Sequence, residues 1–105
     1  MVFQLGSALL DACVLAVLTK ADTYGYILTQ NVKEMIDVSE SSLYPVLRRL
    51  QKDDCLTTYD QSFQGRNRRY YSITEQGLAK LTEYAEEWKQ YKAKVDKILI
   101  GGIEQ

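Results

Sequence analysis

The chain's 105 residues allow one hydrophobic core and leave no length for a second. Its composition, 46% apolar and 26% charged, is ordinary for a soluble domain, and no apolar run approaches the roughly 18 residues of a membrane span. Histidine, the commonest general base and metal ligand, is absent, and Cys13 and Cys55 fit neither a disulfide framework nor a C-x-x-C metal spacing, which argues against hydrolase, metal and cofactor readings.

The first element runs from Leu5 to Lys20 and is apolar almost all round, with Leu9, Ala12, Cys13, Ala16 and Val17 at helical spacing. It reads as a buried first helix, and Cys13 as a small core residue. Its longest apolar run, Ala12 to Leu18, lacks a basic leader and a small-residue cleavage site, so a cytoplasmic location is expected. Ala21-Asp22-Thr23 forms a break in which Asp22 or Thr23 is expected to cap a second helix. That helix spans Tyr24 to Ile36, with Ile27, Leu28, Val32, Met35 and Ile36 in its stripe. Tyr24 and Tyr26 flank Gly25 and read as packing residues with a hydrogen-bonding tip.

Asp37 to Ser42 is polar and offers several N-caps. Leu43, Val46, Leu47 and Leu50 then give the i, i+3, i+4, i+7 stripe of a third helix, in which Pro45 is expected in or near the first turn or at a kink. Leu56 to Ser62 and Arg68 to Ile73 alternate like strands, joined by the five-residue link Phe63-Gln64-Gly65-Arg66-Asn67. In the second strand Tyr71 shares a face with Arg69 and Ile73 and reads as core, whereas Tyr70 points the other way. Thr74 is placed to cap a last helix from Glu75 to about Ile100, stopped by Gly101-Gly102. The predicted fold class is therefore mainly α with a small β-hairpin. It is a winged helix-turn-helix over residues 5–73 followed by a C-terminal dimerisation helix over 74–105.

Net charge is −1 and the pI about 5.4, which on average disfavours nucleic acid. The distribution reverses that inference. Between Ser39 and Ile73 six basic residues (Arg48, Arg49, Lys52, Arg66, Arg68, Arg69) face four acidic ones, while both flanks are acidic. A recognition helix buries one stripe and offers a narrow polar face to the major groove. Here that face holds Ser41, Ser42, Tyr44, Arg48, Arg49 and Lys52. Arginine reads guanine through two hydrogen bonds, and serine and tyrosine hydroxyls serve base or phosphate. The hairpin tip supplies Arg66, Arg68 and Arg69 to lie along the DNA backbone or the minor groove. Solvation of a surface helix would explain Arg48, Arg49 and Lys52 alone, but not their coupling to a basic hairpin at this distance.

Taken together, Tyr24-Gly25-Tyr26, Ser42-Leu43-Tyr44-Pro45 with Leu47, Arg49 and Leu50, Gly65 with Arg68-Arg69-Tyr70-Tyr71, and Ile73-Thr74 with Gly77 resemble the PadR family pattern. The resemblance runs from residue 9 to about 100. It implies a transcriptional regulator, most often a repressor, that binds double-stranded DNA as a homodimer, and it implies that some of the tyrosine hydroxyls reach phosphate. The small subgroup of the family, which dimerises through one last helix, is the closer likeness. Departures are Ser42 for the usual Thr, Ser41 for Gly, Ala21-Asp22 for Gly-Pro, Arg66 for the wing's Pro, and Cys55 where Gly often ends the recognition helix.

Leu81, Tyr84, Trp88, Tyr91, Val95 and Ile98 follow alternating three- and four-residue steps along the last helix, a heptad seam that predicts a second copy of the chain. Part of the helix is also expected to fold back on the first. Trp88, flanked by Tyr84 and Tyr91, has two readings: it fills the dimer core, or it forms with them a slot for a planar aromatic ligand, as the resemblance implies. A winged-helix protein-interaction module without DNA binding is the alternative function. An enzyme is not expected: Asp53-Asp54 is the only adjacent carboxylate pair in the basic region, it sits at a helix end, and nothing near it looks like a nucleophile, Cys55 reading as structural.

Overall fold

The computed structural model describes residues 7–103 as four helices and three strands. Helix α1 (Ser7–Leu18) lies at the centre and touches every other helix. Its Val14, Leu15 and Leu18 are buried, and Cys13 packs half-buried against them. Leu5 and Gly6, expected as its first residues, lie outside the described residues. Asp11 is the only charged side chain buried among the described residues.

A two-residue strand, β1 (Thr23–Tyr24), precedes α2 (Gly25–Met35) and was not expected from the sequence. Neither Asp22 nor Thr23 caps α2: Tyr24 holds the N-cap position without a side-chain bond. Thr23 is committed to the sheet, and the Asp22 carboxylate accepts a hydrogen bond from Tyr59 Oη at 2.8 Å. Tyr26 is exposed rather than packed. Leu28, Thr29 and Val32 anchor α2 in the core.

Helix α3 (Glu40–Lys52) starts ahead of its apolar stripe, with Ser39 at the N-cap, and buries Leu43, Val46, Leu47 and Leu50 as the stripe predicts. Pro45 consequently sits in the second turn. It leaves the Ser41 carbonyl without its i+4 donor, at an exposed turn where water can serve it. The exit from α3 is a Schellman turn. Cys55 N–H reaches the Leu50 carbonyl at 2.9 Å and Asp54 N–H the Gln51 carbonyl at 3.1 Å. The left-handed residue is Asp54, at φ 60°, so the position that glycine usually fills lies one residue before Cys55.

Strands β2 (Leu56–Phe63) and β3 (Arg66–Ile73) form a hairpin longer than expected, closed by only Gln64-Gly65. Positive φ at both turn residues, 53° and 77°, is the type I′ signature that suits the strands' twist. The sheet order is β1-β3-β2, antiparallel throughout. Tyr71 and Ile73 pack on the core, and Tyr70 turns to the other face, as alternation predicts.

Thr74 caps α4 (Glu75–Ile103) and stitches it to the end of α3. Its hydroxyl accepts from Gly77 N–H at 3.0 Å while donating to the Asp54 carbonyl at 2.6 Å, and Gln76 Nε2 donates to the Asp53 carbonyl at 2.9 Å. Gly101-Gly102 does not stop the helix, which continues to Ile103. Each glycine weakens a helix interior by about 1 kcal/mol, a cost the preceding turns can carry. At 29 residues α4 is about 43 Å long. Leu81 and Tyr84 reach the core, but beyond them nearly every side chain is exposed. The radius of gyration is 16.0 Å, against about 13 Å for a compact domain of this length.

The first turn of α4 crosses so near the α3 exit that a Cβ on Gly77 would stand 2.3 Å from the Cys55 carbonyl oxygen and 2.8 Å from Ile73 Cγ1. Gly77→Ala is expected to destabilise the fold by about 1–3 kcal/mol, the usual cost of forcing atoms into packed space, read as a lower urea midpoint.

Candidate nucleic-acid interface

The buried stripe of α3 fixes what its other side offers. Ser41, Tyr44, Arg48 and Lys52 are exposed and follow one another at three- and four-residue steps, so they share a face; Ser42 is exposed too, on the flank that Arg49 continues seven residues on. At its head Ser39 Oγ lies 3.0 Å from both Ser41 Oγ and Ser42 Oγ, which orders three hydroxyls over the first turn. Tyr44 stands 44% exposed. Arg48 and Lys52 form no ion pair among the described residues.

Arg49, expected on that face, is placed differently. One residue beyond Arg48 it is turned about 100° round the helix, and its guanidinium pairs with the carboxylate of Asp11. The Asp11 side chain is 8% exposed and that of Arg49 41%. Tyr84 Oη donates to the other Asp11 oxygen at 3.1 Å. Burial first, and then the Asp11 charge, push the Tyr84 hydroxyl up to about 12. One carboxylate thus ties α1, α3 and α4 together. The sequence held a signal for it: an acidic residue amid Leu9-Leu10 and Ala12-Cys13.

The three wing arginines also differ. Arg66 is exposed beside the turn, opposite Phe63. Arg69 faces Asp60 across the hairpin at 3.9 Å, an exposed pair that contributes under about 1 kcal/mol. Arg68 is half-buried, its guanidinium 4.5 Å above the Tyr24 ring centroid and 5.9 Å from that of Phe63. The same face carries Tyr59 stacked on Tyr70 at 5.5 Å, with Tyr24 edge-on to Tyr70 at 5.6 Å. This aromatic panel stiffens the hairpin and fixes the Arg68 head. It escaped sequence reading because β1, which brings Tyr24 to the sheet, is only two residues long. The hydrogen bond to Asp22, together with partial desolvation, raises the Tyr59 hydroxyl above its ordinary value.

Away from the α3 face, Tyr84, Trp88 and Tyr91 line one groove with Glu87 and with Ala8, Leu9 and Ala12 of α1, of about 350 Å³. The Trp88 and Tyr91 rings lie 6.3 Å apart, tilted by 43°. Both cysteines carry free thiols raised by burial, and neither resembles an activated nucleophile. Among the described residues no cluster of potential metal ligands exists and no helix is long and apolar enough to cross a membrane.

The model of the transcriptional regulator PadR-like family matches residues 14–83. An uncharacterised Lysinibacillus sphaericus protein is 34% identical over 98 residues, covering 88% of this chain and 89% of its own. Among solved structures, a Streptococcus mutans protein is similar at TM-score 0.87 and 39% identity, over 96% of this chain and 95% of its own. A PadR-like transcriptional regulator from Bacillus cereus follows at 0.80 and 31%, over 89% and 93%.

The two neighbouring arginines of α3 should separate in stability measurements. Arg49→Ala leaves a buried carboxylate short of its cation and is expected to cost about 1–3 kcal/mol, less than a fully buried pair because Arg49 is partly in water. Arg48→Ala should stay within about 0.5 kcal/mol. Urea unfolding distinguishes them. Tyr84 adds a pH signature. Because the fold raises its hydroxyl to about 12 from an ordinary value near 10, its contribution is complete below pH about 10 and lost as the pH rises toward 12. Tyr84→Phe should remove that part of the alkaline loss of stability.

Proposed function

The chain belongs to the PadR-like family of transcriptional regulators, which are not enzymes, and on that premise we propose that it is a sequence-specific repressor acting as a homodimer. The observation that carries this reading is the α3 face. Ser41, Ser42, Tyr44, Arg48 and Lys52 project from a helix whose other side is locked in the core, beside a hairpin with its cations at the tip. In this reading residues 5–73 form the DNA-binding unit and 74–105 the dimerisation helix. Arg48 reads a base edge, Ser41, Ser42, Tyr44 and Lys52 hold phosphate or neighbouring bases, and Arg66, Arg68 and Arg69 follow the backbone. Arg49 positions α3 instead of touching DNA.

The exposed apolar surface of α4 supports the dimer: Trp88, Tyr91 and Ile98 of the seam, and Leu99 and Ile100 next to it in the chain, are each at least 42% exposed, an apolar load that a single chain leaves in water. Two α3 helices related by a two-fold axis fit a pseudo-palindrome with half-sites about 10 bp apart or a multiple of it. The groove beside Trp88 is of a size for a small planar aromatic ligand, whose better fit to one spacing of the DNA-reading heads would release the operator.

Light scattering at micromolar concentration should return a dimer; a monomeric mass with specific DNA binding intact would exclude the two-fold arrangement. In mobility-shift assays with the protein's own upstream DNA, Arg48→Ala should lose about 1–3 kcal/mol on the cognate site and little on random duplex. Arg66→Ala and Arg69→Ala should weaken both alike and reduce the salt slope by about one each. Absence of any specific shift would favour the protein-interaction alternative. Planar aromatics that occupy the groove should quench Trp88, the single tryptophan, saturably and lower operator affinity.

A further inference from the structure

Asp11 is held from two directions by helices with different tasks. Arg49 of α3 occupies one of its oxygens and Tyr84 of α4 the other. The Tyr84 ring meanwhile forms part of the wall of the groove that contains Trp88. Tyr84 also lines a second recess of about 520 Å³, with Asp11, Leu50 and Cys55 at the α3 exit. One side chain therefore lines the groove and bonds the anchor of the recognition helix through its hydroxyl.

We propose that Asp11 is a coupling residue, whose carboxylate links the placement of Tyr84 beside the groove to the pose of Arg49 and α3; for its function this rests on the DNA-binding reading above. A carboxylate this buried cannot lose a donor without a compensating one. When α4 shifts so that Tyr84 withdraws, the carboxylate turns to recover a donor and the Arg49 head follows it. Because the carboxylate is shared, the network moves between discrete arrangements instead of yielding by degrees. The Tyr84 hydroxyl, pushed up to about 12, remains a donor throughout the neutral range. Linkage is reciprocal, so DNA held by α3 must act back on the groove. Trp88 reports that effect with no ligand present.

The test selects duplexes from a random pool on the wild-type protein, then follows binding by labelled-DNA anisotropy and Trp88 emission together. In the wild type the emission is expected to change in step with the binding isotherm. Tyr84→Phe keeps the ring but removes the donor; it should bind the selected duplex more weakly, because Asp11 and Arg49 relax as they do when Tyr84 withdraws, and at saturating DNA it should lose most of the emission change. Tyr91→Phe, altered in the same groove but not at a partner of Asp11, should keep it. A full emission response in Tyr84→Phe overturns the coupling, as does a wild type that binds the duplex with Trp88 silent. Should the wild type select no duplex, the DNA reading fails on its own account, and hydrogen exchange of the free protein decides the coupling. Asp11→Asn and Tyr84→Phe should then each speed exchange of the α3 amides from Leu47 to Lys52 several-fold. Unchanged exchange in Tyr84→Phe, the milder of the two, overturns it.

Discussion

A carboxylate removed from water keeps its charge only where donors surround it, and in this chain that requirement organises the helices. Asp11 sits on α1, against which the other three helices pack, and its two oxygens are satisfied from α3 and from α4. The apolar contacts around it set how deeply the helices pack, but they are tolerant of small rotations. Hydrogen bonds to a buried charge are not. The buried stripe sets the rotation of α3 about its own axis, and the Arg49 pair narrows it further. With that rotation set, Ser41, Ser42, Tyr44, Arg48 and Lys52 can only face outward.

The cations of the middle third look alike in sequence and differ in what surrounds them. Arg48, Lys52 and Arg66 stand in water, Arg69 is lightly engaged by Asp60, Arg68 is held over Tyr24, and Arg49 belongs to the core's polar knot. Counting charges is thus a poor guide to an interface on an acidic protein. A guanidinium with a buried partner is part of the scaffold, and one over an aromatic ring has a fixed direction. Those in solvent remain available to adapt.

Where local chemistry sets the outcome, the sequence was legible. The apolar stripe from Leu43 to Leu50, the alternation at Tyr71 and Ile73 and the Thr74 cap each predicted what the fold shows. What escaped it depends on partners distant in the chain. Strand β1 has two residues and no period of its own; it exists because β3 offers an edge to Tyr24. Asp22 is a plausible cap until Tyr59 claims its carboxylate. Arg49 and Arg48 are indistinguishable as letters, and only the contact with Asp11, 38 positions back in the chain and brought close by the fold, sets their surroundings apart. The glycine pair at 101–102 was read as a stop, yet a weak propensity late in a long helix is only a modest penalty.

The stitched corner between α3 and α4 has a mechanical meaning. The end of one helix and the start of the other share the backbone of Asp53, Asp54 and Cys55, tied by Thr74 and Gln76 and sealed by the absence of a side chain at Gly77. A joint with that many bonds and no free glycine hinge does not swivel. The long helix is then a lever fixed at its base. Over about 43 Å, a tilt of about 5° moves its far end by about 4 Å. A grip on the distal turns is geared down toward α3, so large displacements there become small, firm rotations of its exposed face.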